Sequence, residues 1–537
     1  MTSTTPDQDN ASLEAQLNEA VEHHRAGKLF EAEEIYRRIL AVNPDYPFAL
    51  CLLGAIAHAA GENEQAVDLI AQAIAIKPDY TDAYINLGSV LLVMDRFEEA
   101  LGEIEKALAL DPESAEAHSN SGVALMKLDR PDEATASYRK ATEIRPDYAE
   151  AHFNLGKALN DMNRPEDALA SYRQATSCKP DYAEAHHNIG NVLRDQDQSD
   201  DAIASYRRAF EIKPDYAEAH HNLGFALLGM GKQRDGLEGY EWRWQVPTCS
   251  SPQPAFQKPL WNGSDDLDDL TILLWPEQGP QDVSTWVSGI PEIIGRAGRC
   301  IVEVYPKLVS LYARSFPEAE VRGDSTSLKA PPVEDFDVHL PLGSLFRHLQ
   351  QDLMEPCDAF LIPDPERVAF WKQRLAALGP GPYVGISWKS PMVTPARSPN
   401  YTRIDEWGPL FAQPAQFVNL QCGDDHDDRS RAKEIFGATV HHFDDLDLFD
   451  DLDDVAALTA ALDVVITVST AVSAIAAGVG APVWLIAWRQ SPWNNFLLAP
   501  RGPDVTSFER NTDEPWDDVF AALTERLGDL AAGPKAL

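Results

Sequence analysis

Several short constellations in this chain carry groups able to do chemistry. Ser469-Thr470-Ala471 follows the β-branched run Val464–Val468 and precedes an alanine-rich stretch, so it opens a helix directly after a strand. The backbone N–H groups and helix dipole at such a point form an anion site, and the two hydroxyls add donors. Lys389, Arg397 and Arg403 follow another strand-like run, Tyr383–Trp388, and supply positive charge in a chain whose net charge is −40. Asp282 lies at the strand-to-helix turn beyond Leu270–Trp275, and Glu277 stands in the same turn. A carboxylate there is a good helix N-cap and also a candidate proton acceptor. Asn86, Asn120, Asn154, Asn188 and Asn222 form a ladder of amides in register. Asparagine is a poor helix former, so five in register suggest a use. An amide offers both a donor and an acceptor and can pair with a peptide backbone of any sequence. The alternative is that these amides tie one repeat to the next.

The elements that must position these groups differ between the two halves of the chain. Pro44, Pro78, Pro112, Pro146, Pro180 and Pro214 are spaced 34 residues apart. That is the period of a stacked helix-turn-helix array. Leu155, Gly156, Leu159, Ala168, Tyr172 and Ala175, closed by Pro180, resemble the consensus of the tetratricopeptide repeat (TPR) family. The glycine recurs as Gly54, Gly88, Gly122, Gly156, Gly190 and Gly224. An atypical first unit at about residues 10–43 (Leu17, Ala20, Ala32, Tyr36) makes seven units and a solenoid expected over 10–246. Helix A of each unit lines the concave face of a TPR superhelix, so the resemblance implies that the asparagine ladder faces a bound polypeptide. His118, His152, His186 and His220 recur where the consensus has a packed aromatic and read as packing groups, with no metal expected.

Composition narrows the function. At 537 residues the chain should hold more than one domain. Its acidity argues against nucleic-acid phosphate and anionic lipid as partners. The six cysteines are scattered without metal or disulfide spacing, which fits a reducing cytoplasm. Met1 to Ala11 has neither a basic start nor an apolar core, so no signal peptide is expected. Val464 to Trp488 carries no charge, but its Ser, Gly and Pro residues divide it into strand, helix and strand rather than a membrane span.

After Tyr240-Glu-Trp-Arg-Trp244, whose aromatics suggest a seam with the next domain, a linker is expected over 247–269. Strand candidates then follow at Leu270–Trp275, Cys300–Tyr305 and Phe336–Leu340, and at Tyr383–Trp388, Phe417–Gln421, Val440–Phe443, Val464–Val468 and Val483–Ala487. Short apolar runs alternating with helical segments imply parallel, doubly wound α/β domains, here 270–365 and 366–537. Two Rossmann-like halves facing a cleft form the GT-B architecture.

Leu273-Leu-Trp-Pro-Glu-Gln-Gly279-Pro-Gln-Asp282, Val384-Gly-Ile-Ser-Trp388-Lys389 and Ala461–Ala471 with Gly480-Ala-Pro482 resemble the heptosyltransferase-like GT-B glycosyltransferases, and the layout resembles bacterial fusions of TPR repeats to that module, some of which modify flagellins. The resemblance implies a metal-independent, inverting protein O-glycosyltransferase with no cofactor. Its substrates would be a nucleotide sugar and Ser or Thr of an acceptor protein, flagellin among the candidates. Asp282 would be the base and Glu277 its reserve. Lys389, Arg397, Arg403, Ser469, Thr470 and Ala471 would meet the donor phosphates, and Gln421 and Gly423 its base or ribose. Two motifs depart from the family. Gly279-Pro280-Gln281-Asp282 replaces Gly-Leu-Gly-Asp, and Ser469-Thr470-Ala471 replaces Asp-Thr-Ala, with Ser473 where a histidine often stands. These departures favour the alternative of a scaffold that keeps the fold without turnover. The acidic run Asp444–Asp454 has leucines at intervals and reads as a solvated loop and helix cap rather than a metal site.

Overall fold

The computed structural model describes residues 6–247, 253–277, 286–324, 333–349, 357–390, 401–423, 425–488, 501–511 and 514–532. The chain divides into two compact units, Met1–Leu193 with Glu211–Lys213, and Arg194–Phe210 with Pro214–Leu537.

The first unit is helical: α1 (Pro6–Arg25), α2 (Leu29–Val42), α3 (Pro47–Ala59), α4 (Asn63–Ile76), α5 (Thr81–Val93), α6 (Phe97–Leu110), α7 (Ala115–Lys127), α8 (Pro131–Ile144), α9 (Ala149–Asp161), α10 (Pro165–Cys178) and α11 (Ala183–Asp195), which runs to the boundary. Small residues set the approach of partners. A Cβ on Gly156 would stand 2.6 Å from the Tyr172 ring, so α9 and α10 pack through the missing side chain.

Two further ladders fix the turns. Between the helices of each hairpin one residue adopts the left-handed conformation. It is Gly27 and Gly61 in the first two hairpins, and Asp95, Asp129 and Asn163, at φ of 57–58°, in the next three. In each case the following N–H reaches back to the helix, as Arg130 N to Leu125 O at 2.9 Å, the 6→1 bond of a Schellman motif. The histidines close the other turn. His118, His152 and His186 place Nε2 at 3.0, 3.0 and 3.1 Å from the carbonyls of Pro112, Pro146 and Pro180. They are hydrogen-bonding staples that tie Pro112, Pro146 and Pro180 to the helices they precede, a more specific role than the aromatic packing expected of them.

The second unit opens with α12 (Ser199–Ile212), α13 (Ala217–Gly229) and α14 (Gln233–Tyr240), then a 3-10 turn, Glu241–Gln245. Here α13 and α14 touch backbone to backbone. A Cβ on Gly224 would lie 2.7 Å from Gly239 C, and one on Gly236 would lie 2.9 Å from Gly224 O. This explains the two extra glycines at the end of the repeat pattern. His220 repeats the staple to Pro214 at 2.9 Å and is stacked between Phe210 and Trp242.

Two wholly parallel sheets follow. The first contains β1 (Thr271–Trp275), β2 (Arg299–Val304), β3 (Glu320–Gly323) and β4 (Val338–Pro341) in the order β3-β2-β1-β4. The second contains β5 (Tyr383–Ser387), β6 (Gln416–Asn419), β7 (Val440–His441), β8 (Val464–Val468), β9 (Val483–Trp488) and β10 (Val505–Arg510) in the order β10-β9-β8-β5-β6-β7. All eight expected strands are present. The two additional ones, β3 and β10, are sheet edges with no fully buried residue. An edge strand does not need the continuous apolar run that marks a central one. Val464–Trp488 is strand, helix Ala471–Gly478 and strand, all largely buried. Among the described residues no helix is long and apolar enough to cross a membrane.

The segment before β1 is pinned to the first sheet. Trp261 N donates to His339 O at 2.9 Å, His339 N donates to Pro259 O at 3.1 Å, and Trp261 is buried. One apolar cluster joins Phe225, Leu228, Leu237 and Tyr240 of the helices to Ile272, Leu274 and Val302 of the sheet. The aromatic segment Tyr240–Trp244 is therefore a seam within this unit.

Candidate functional site

Strand order locates the site. Read from β7, the second sheet runs β7-β6-β5-β8-β9-β10, the doubly wound order in which the chain reverses direction between its first and fourth strands. Ligands bind such sheets outside the carboxyl ends of the strands at that reversal. Here it falls between β5 and β8, paired in register from Val384↔Val464 to Ser387↔Thr467. The first sheet has the same order through four strands, with its reversal between β1 and β4.

Ser387, Trp388 and Lys389 leave β5 at this edge, and Ser469, Thr470 and Ala471 leave β8 beside them. Thr470 caps the helix Ala471–Gly478, with its N–H donating to Ser473 Oγ at 3.1 Å and the Ser473 hydroxyl donating back to Thr470 O at 2.6 Å. Ser473, which stands where the resembling family often has a histidine, is a fully buried part of the cap. Ser469 is half-buried at the mouth of this turn.

Gln421 does not offer the free amide expected of it. It is buried, and its Oε1 accepts from the N–H groups of Trp388 and Lys389, each at 3.0 Å. Its Nε2 donates to the carbonyls of Lys389 and Cys422, each at 2.8 Å. It clamps the end of β5 to the end of β6 and has no capacity left for a ribose or base. Gly423 follows at φ 93°, a conformation open to glycine.

Lys389 lies at the expected edge, but its Nζ pairs with Asp428 at 2.6 Å. The same carboxylate accepts from Trp388 Nε1 at 2.9 Å. Asp428, a residue the sequence reading missed, sits in the first turn of the helix His426–Phe436 and matches this charge internally. Arg403 is largely exposed, and its ion-pair partner among the described residues is Glu406 at 3.5 Å. Asp282 and Arg397 lie outside the described residues.

Glu277 is not a free base. Its carboxylate is held by Arg243 through two bonds of 2.7 and 2.8 Å, and both side chains are 2% exposed. Burial pushes the carboxyl up while the guanidinium pulls it back. Arg243 also donates to Glu241 at 2.9 Å and to Ser344 Oγ at 2.8 Å, and lies over Tyr240 and Trp244 at 4.2 and 4.5 Å. A Cβ on Gly343 would come within 2.0 Å of Glu277 Oε1, so the pocket closes round the carboxylate. This network ties the 3-10 turn to β1. Nearby, burial and the Arg243 charge push the His221 imidazole down to about 4.

The acidic run is the exposed loop and helix cap expected of it, with Asp444, Asp445, Asp447, Asp450 and Asp451 exposed and Asp451 at the N-cap, but several of its carboxylates are also paired. Asp454 is buried and accepts from Arg367 and from Trp371 Nε1 at 2.8 Å, while Asp451 caps its N–H at 3.1 Å. Asp445 holds Arg374 through bonds of 2.6 and 2.9 Å. Asp447 accepts from the N–H groups of Phe449 and Asp450, which hold its carboxyl below the ordinary range. Two cations from the first sheet's side complete the set. Lys307, after β2, donates to Phe449 O at 2.9 Å and lies 4.1 Å over the Phe449 ring. Arg314 binds Asp453 and also donates to Ile362 O at 2.8 Å. The run is thus a clasp between the two sheets. Among the described residues no group of three or more His, Cys, Asp or Glu is placed to hold a metal ion.

On the solenoid, Asn86 donates to Cys51 Sγ at 3.3 Å and Asn120 to Ser89 Oγ at 2.8 Å, each one repeat back. These two amides tie repeat to repeat. Asn154 lines a pocket of about 270 Å³ with Lys127, Lys157, Asp161 and Tyr138.

The helical hairpins define a tetratricopeptide-repeat array, and the family comparison agrees. Tetratricopeptide-repeat models match residues 17–81, 85–149 and 122–183, and a TPR-repeat model matches 190–231. The N-terminal region of this chain therefore consists of TPR repeats. Protein FlbA of Caulobacter vibrioides is 34% identical over 302 residues, covering 52% of this chain and 50% of that protein. The chain thus spans about half the length of the curated relative it matches. Among solved structures, YrrB, described as a TPR protein with an unusual peptide-binding site, is 24% identical with a TM-score of 0.30, covering 35% of this chain and 96% of that one. The pilF protein of Pseudomonas aeruginosa is 23% identical with a TM-score of 0.35, covering 37% and 90%.

Proposed function

We propose that this chain is a protein O-glycosyltransferase, its TPR repeats holding an acceptor polypeptide while its α/β module transfers a sugar from a nucleotide sugar to Ser or Thr. The observation that carries the reading is the pair of consecutive parallel sheets in doubly wound order, with a capped helix start beside the β5–β8 reversal. In this reading the nucleotide phosphates meet Ser469, the Thr470 hydroxyl and the N–H of Ala471, the Thr470 N–H being held by Ser473. Asp282 takes the acceptor hydroxyl proton as the new oxygen–C1 bond forms and the bond from C1 to the nucleotide breaks. The departing phosphate charge is met by the helix start, with Lys389 and Arg397 as further cations. The asparagine ladder offers its remaining amide groups to the acceptor backbone. A flagellin or similar surface protein is the acceptor we favour, in the cytoplasm.

A second reading, a TPR scaffold without turnover, is favoured by one set of observations. Glu277, Lys389 and Gln421 are already satisfied by Arg243, Asp428 and the strand ends. Intact-mass spectrometry of proteins co-purifying with the full chain separates the two. The enzyme reading expects a sugar-sized increment that vanishes on deletion and, in Asp282→Asn, falls by roughly 10²–10⁴ in rate. Partners of unchanged mass would establish the scaffold.

A further inference from the structure

Cations are scarce on the first helices of the repeat hairpins. Over α3, α5, α7, α9, α11 and α13 the only lysines are Lys127, at the end of α7, and Lys157 in α9, and Arg194 of α11 is taken by Asp195 at 2.9 Å. Both lysines line one pocket of about 270 Å³, built from α7, α8 and α9 within the first unit. Among the described residues neither lysine has an ion-pair partner. In a chain of net charge −40, two unmatched lysines at one place are a local reversal of sign. Asp161 is the one carboxylate of the lining, which leaves the pocket net positive.

Two neutral donors stand beside them without partners. Asn120 gives its amide to Ser89, 31 residues back. The equivalent residue for Asn154 is Val123, which has no side-chain acceptor, and the Asn154 amide has no hydrogen-bond partner among the described residues. Tyr138 is 3% exposed, its ring lying against Gly122, and its hydroxyl likewise has no hydrogen-bond partner among the described residues. Unlike the Ser288 and Thr470 hydroxyls, it is not sealed from the surface. Burial pushes its phenol up, so the hydroxyl remains a donor at neutral pH. A polar group this deep is normally satisfied, by the protein or by what binds there.

We infer that this pocket takes one carboxylate side chain, glutamate or aspartate, of a polypeptide lying along the repeats, and so selects for an acidic residue in it. A carboxylate only accepts, and its two oxygens can take the Lys127 and Lys157 ammonium groups, the Asn154 amide and the Tyr138 hydroxyl. Val123, Met126 and Ala158 line the rest, and the methylenes of the incoming side chain pack on them. The volume lies below the roughly 300–1,000 Å³ of a small-molecule site and suits a single side chain. The long-range field of so acidic a chain repels an acidic tract, so an isolated carboxylate among neutral residues fits best. This selectivity rests on the reading in which the repeats hold an acceptor polypeptide, and names what they choose in it.

The test is a methyl-NMR titration of the full chain, isotope-labelled at methionine, with Met126 in the pocket wall as the reporter. The probes are acetyl-Ala-Ser-Leu-Glu-Leu-Ser-Ala-amide and the same peptide with glutamine in place of glutamate. The glutamate peptide should shift the Met126 methyl saturably and bind roughly fivefold or more tighter than the glutamine peptide. Lys127→Gln/Lys157→Gln, checked for an unchanged melting curve, should erase that difference. Tyr138→Phe removes no hydrogen bond within the protein, so it should keep the melting temperature and weaken the glutamate peptide roughly threefold. Equal affinity for the two peptides, or a preference that survives the double lysine variant, would overturn the selectivity while leaving polypeptide binding in place. Absence of a saturable shift with either peptide would overturn both.

Discussion

Glu277 shows how far a side chain's role depends on what it meets. In sequence it is a carboxylate two residues past a strand, in the position of a reserve base. In the fold it is half of a buried ion pair with Arg243. Removing one partner of such a pair leaves an uncompensated buried charge or donor set, at a cost of about 3–5 kcal/mol. Glu277→Gln should therefore lower the stability of the second unit by that order in equilibrium denaturation. The paired replacement Arg243→Met/Glu277→Leu should cost clearly less than the two single changes summed. A catalytic Glu277 would show the opposite pattern: near-native stability in Glu277→Gln with activity lost. Lys389 and Gln421 teach the same lesson, since the edge that was expected to present them to a ligand also consumes them in Asp428 and the ends of β5 and β6.

At the scale of elements, the 34-residue period is a period of turns as much as of helices. Each hairpin needs a left-handed residue at its Schellman turn, and Asp95, Asp129, Asn163 and Asp197 occupy it where glycine does elsewhere. A non-glycine residue there costs roughly 1–2 kcal/mol, less where a short polar side chain bonds locally. Asp129→Gly should be neutral to stabilising by up to about 1 kcal/mol, and Asp129→Val destabilising by about 1–2 kcal/mol. Circular-dichroism melts of the full chain would measure both. Equal effects of Gly and Val would mean that the turn does not limit the array. Repeat stability is propagated chiefly through nearest neighbours, so the loss should appear first in hydrogen exchange of α7 to α10.

For the second unit as a whole, the acidic run does more than the exposed loop and helix cap expected of it. Lys307 and Arg314 reach it from the far sheet, and Asp445 and Asp454 are held by Arg374 and Arg367 of the helix Pro365–Ala376. A partly exposed ion pair of this kind contributes about 0.2–1 kcal/mol, so the clasp adjusts local opening more than global stability. Lys307→Met/Arg314→Met should raise hydrogen exchange across Asp447–Asp453 several-fold and leave the melting temperature nearly unchanged. High salt should reproduce part of the effect in the unaltered chain. Unchanged exchange in the double variant would show that the loop is held by its own caps, Asp447 and Asp451.

What the sequence determined by itself was whatever is written in local periodicity. The proline and glycine spacing announced the TPR hairpins, and short runs of aliphatic, β-branched and aromatic residues announced eight strands, because burial leaves that mark within a few residues even where polar residues interrupt it, as in Phe336–Leu340 and Val440–Phe443. The edge strands β3 and β10 were not legible, since half-exposed strands carry no such run. Charged and amide side chains were the least legible of all. Gln421 is spent on strand ends about 32 residues away, Glu277 on a guanidinium 34 residues away, and the Phe449 carbonyl on an ammonium 142 residues away. Strand order, and with it the place of the candidate site, was likewise decided only in three dimensions. Which strands become neighbours and which charges are neutralised depend on partners distant in the chain, and those are chosen by packing rather than by spacing.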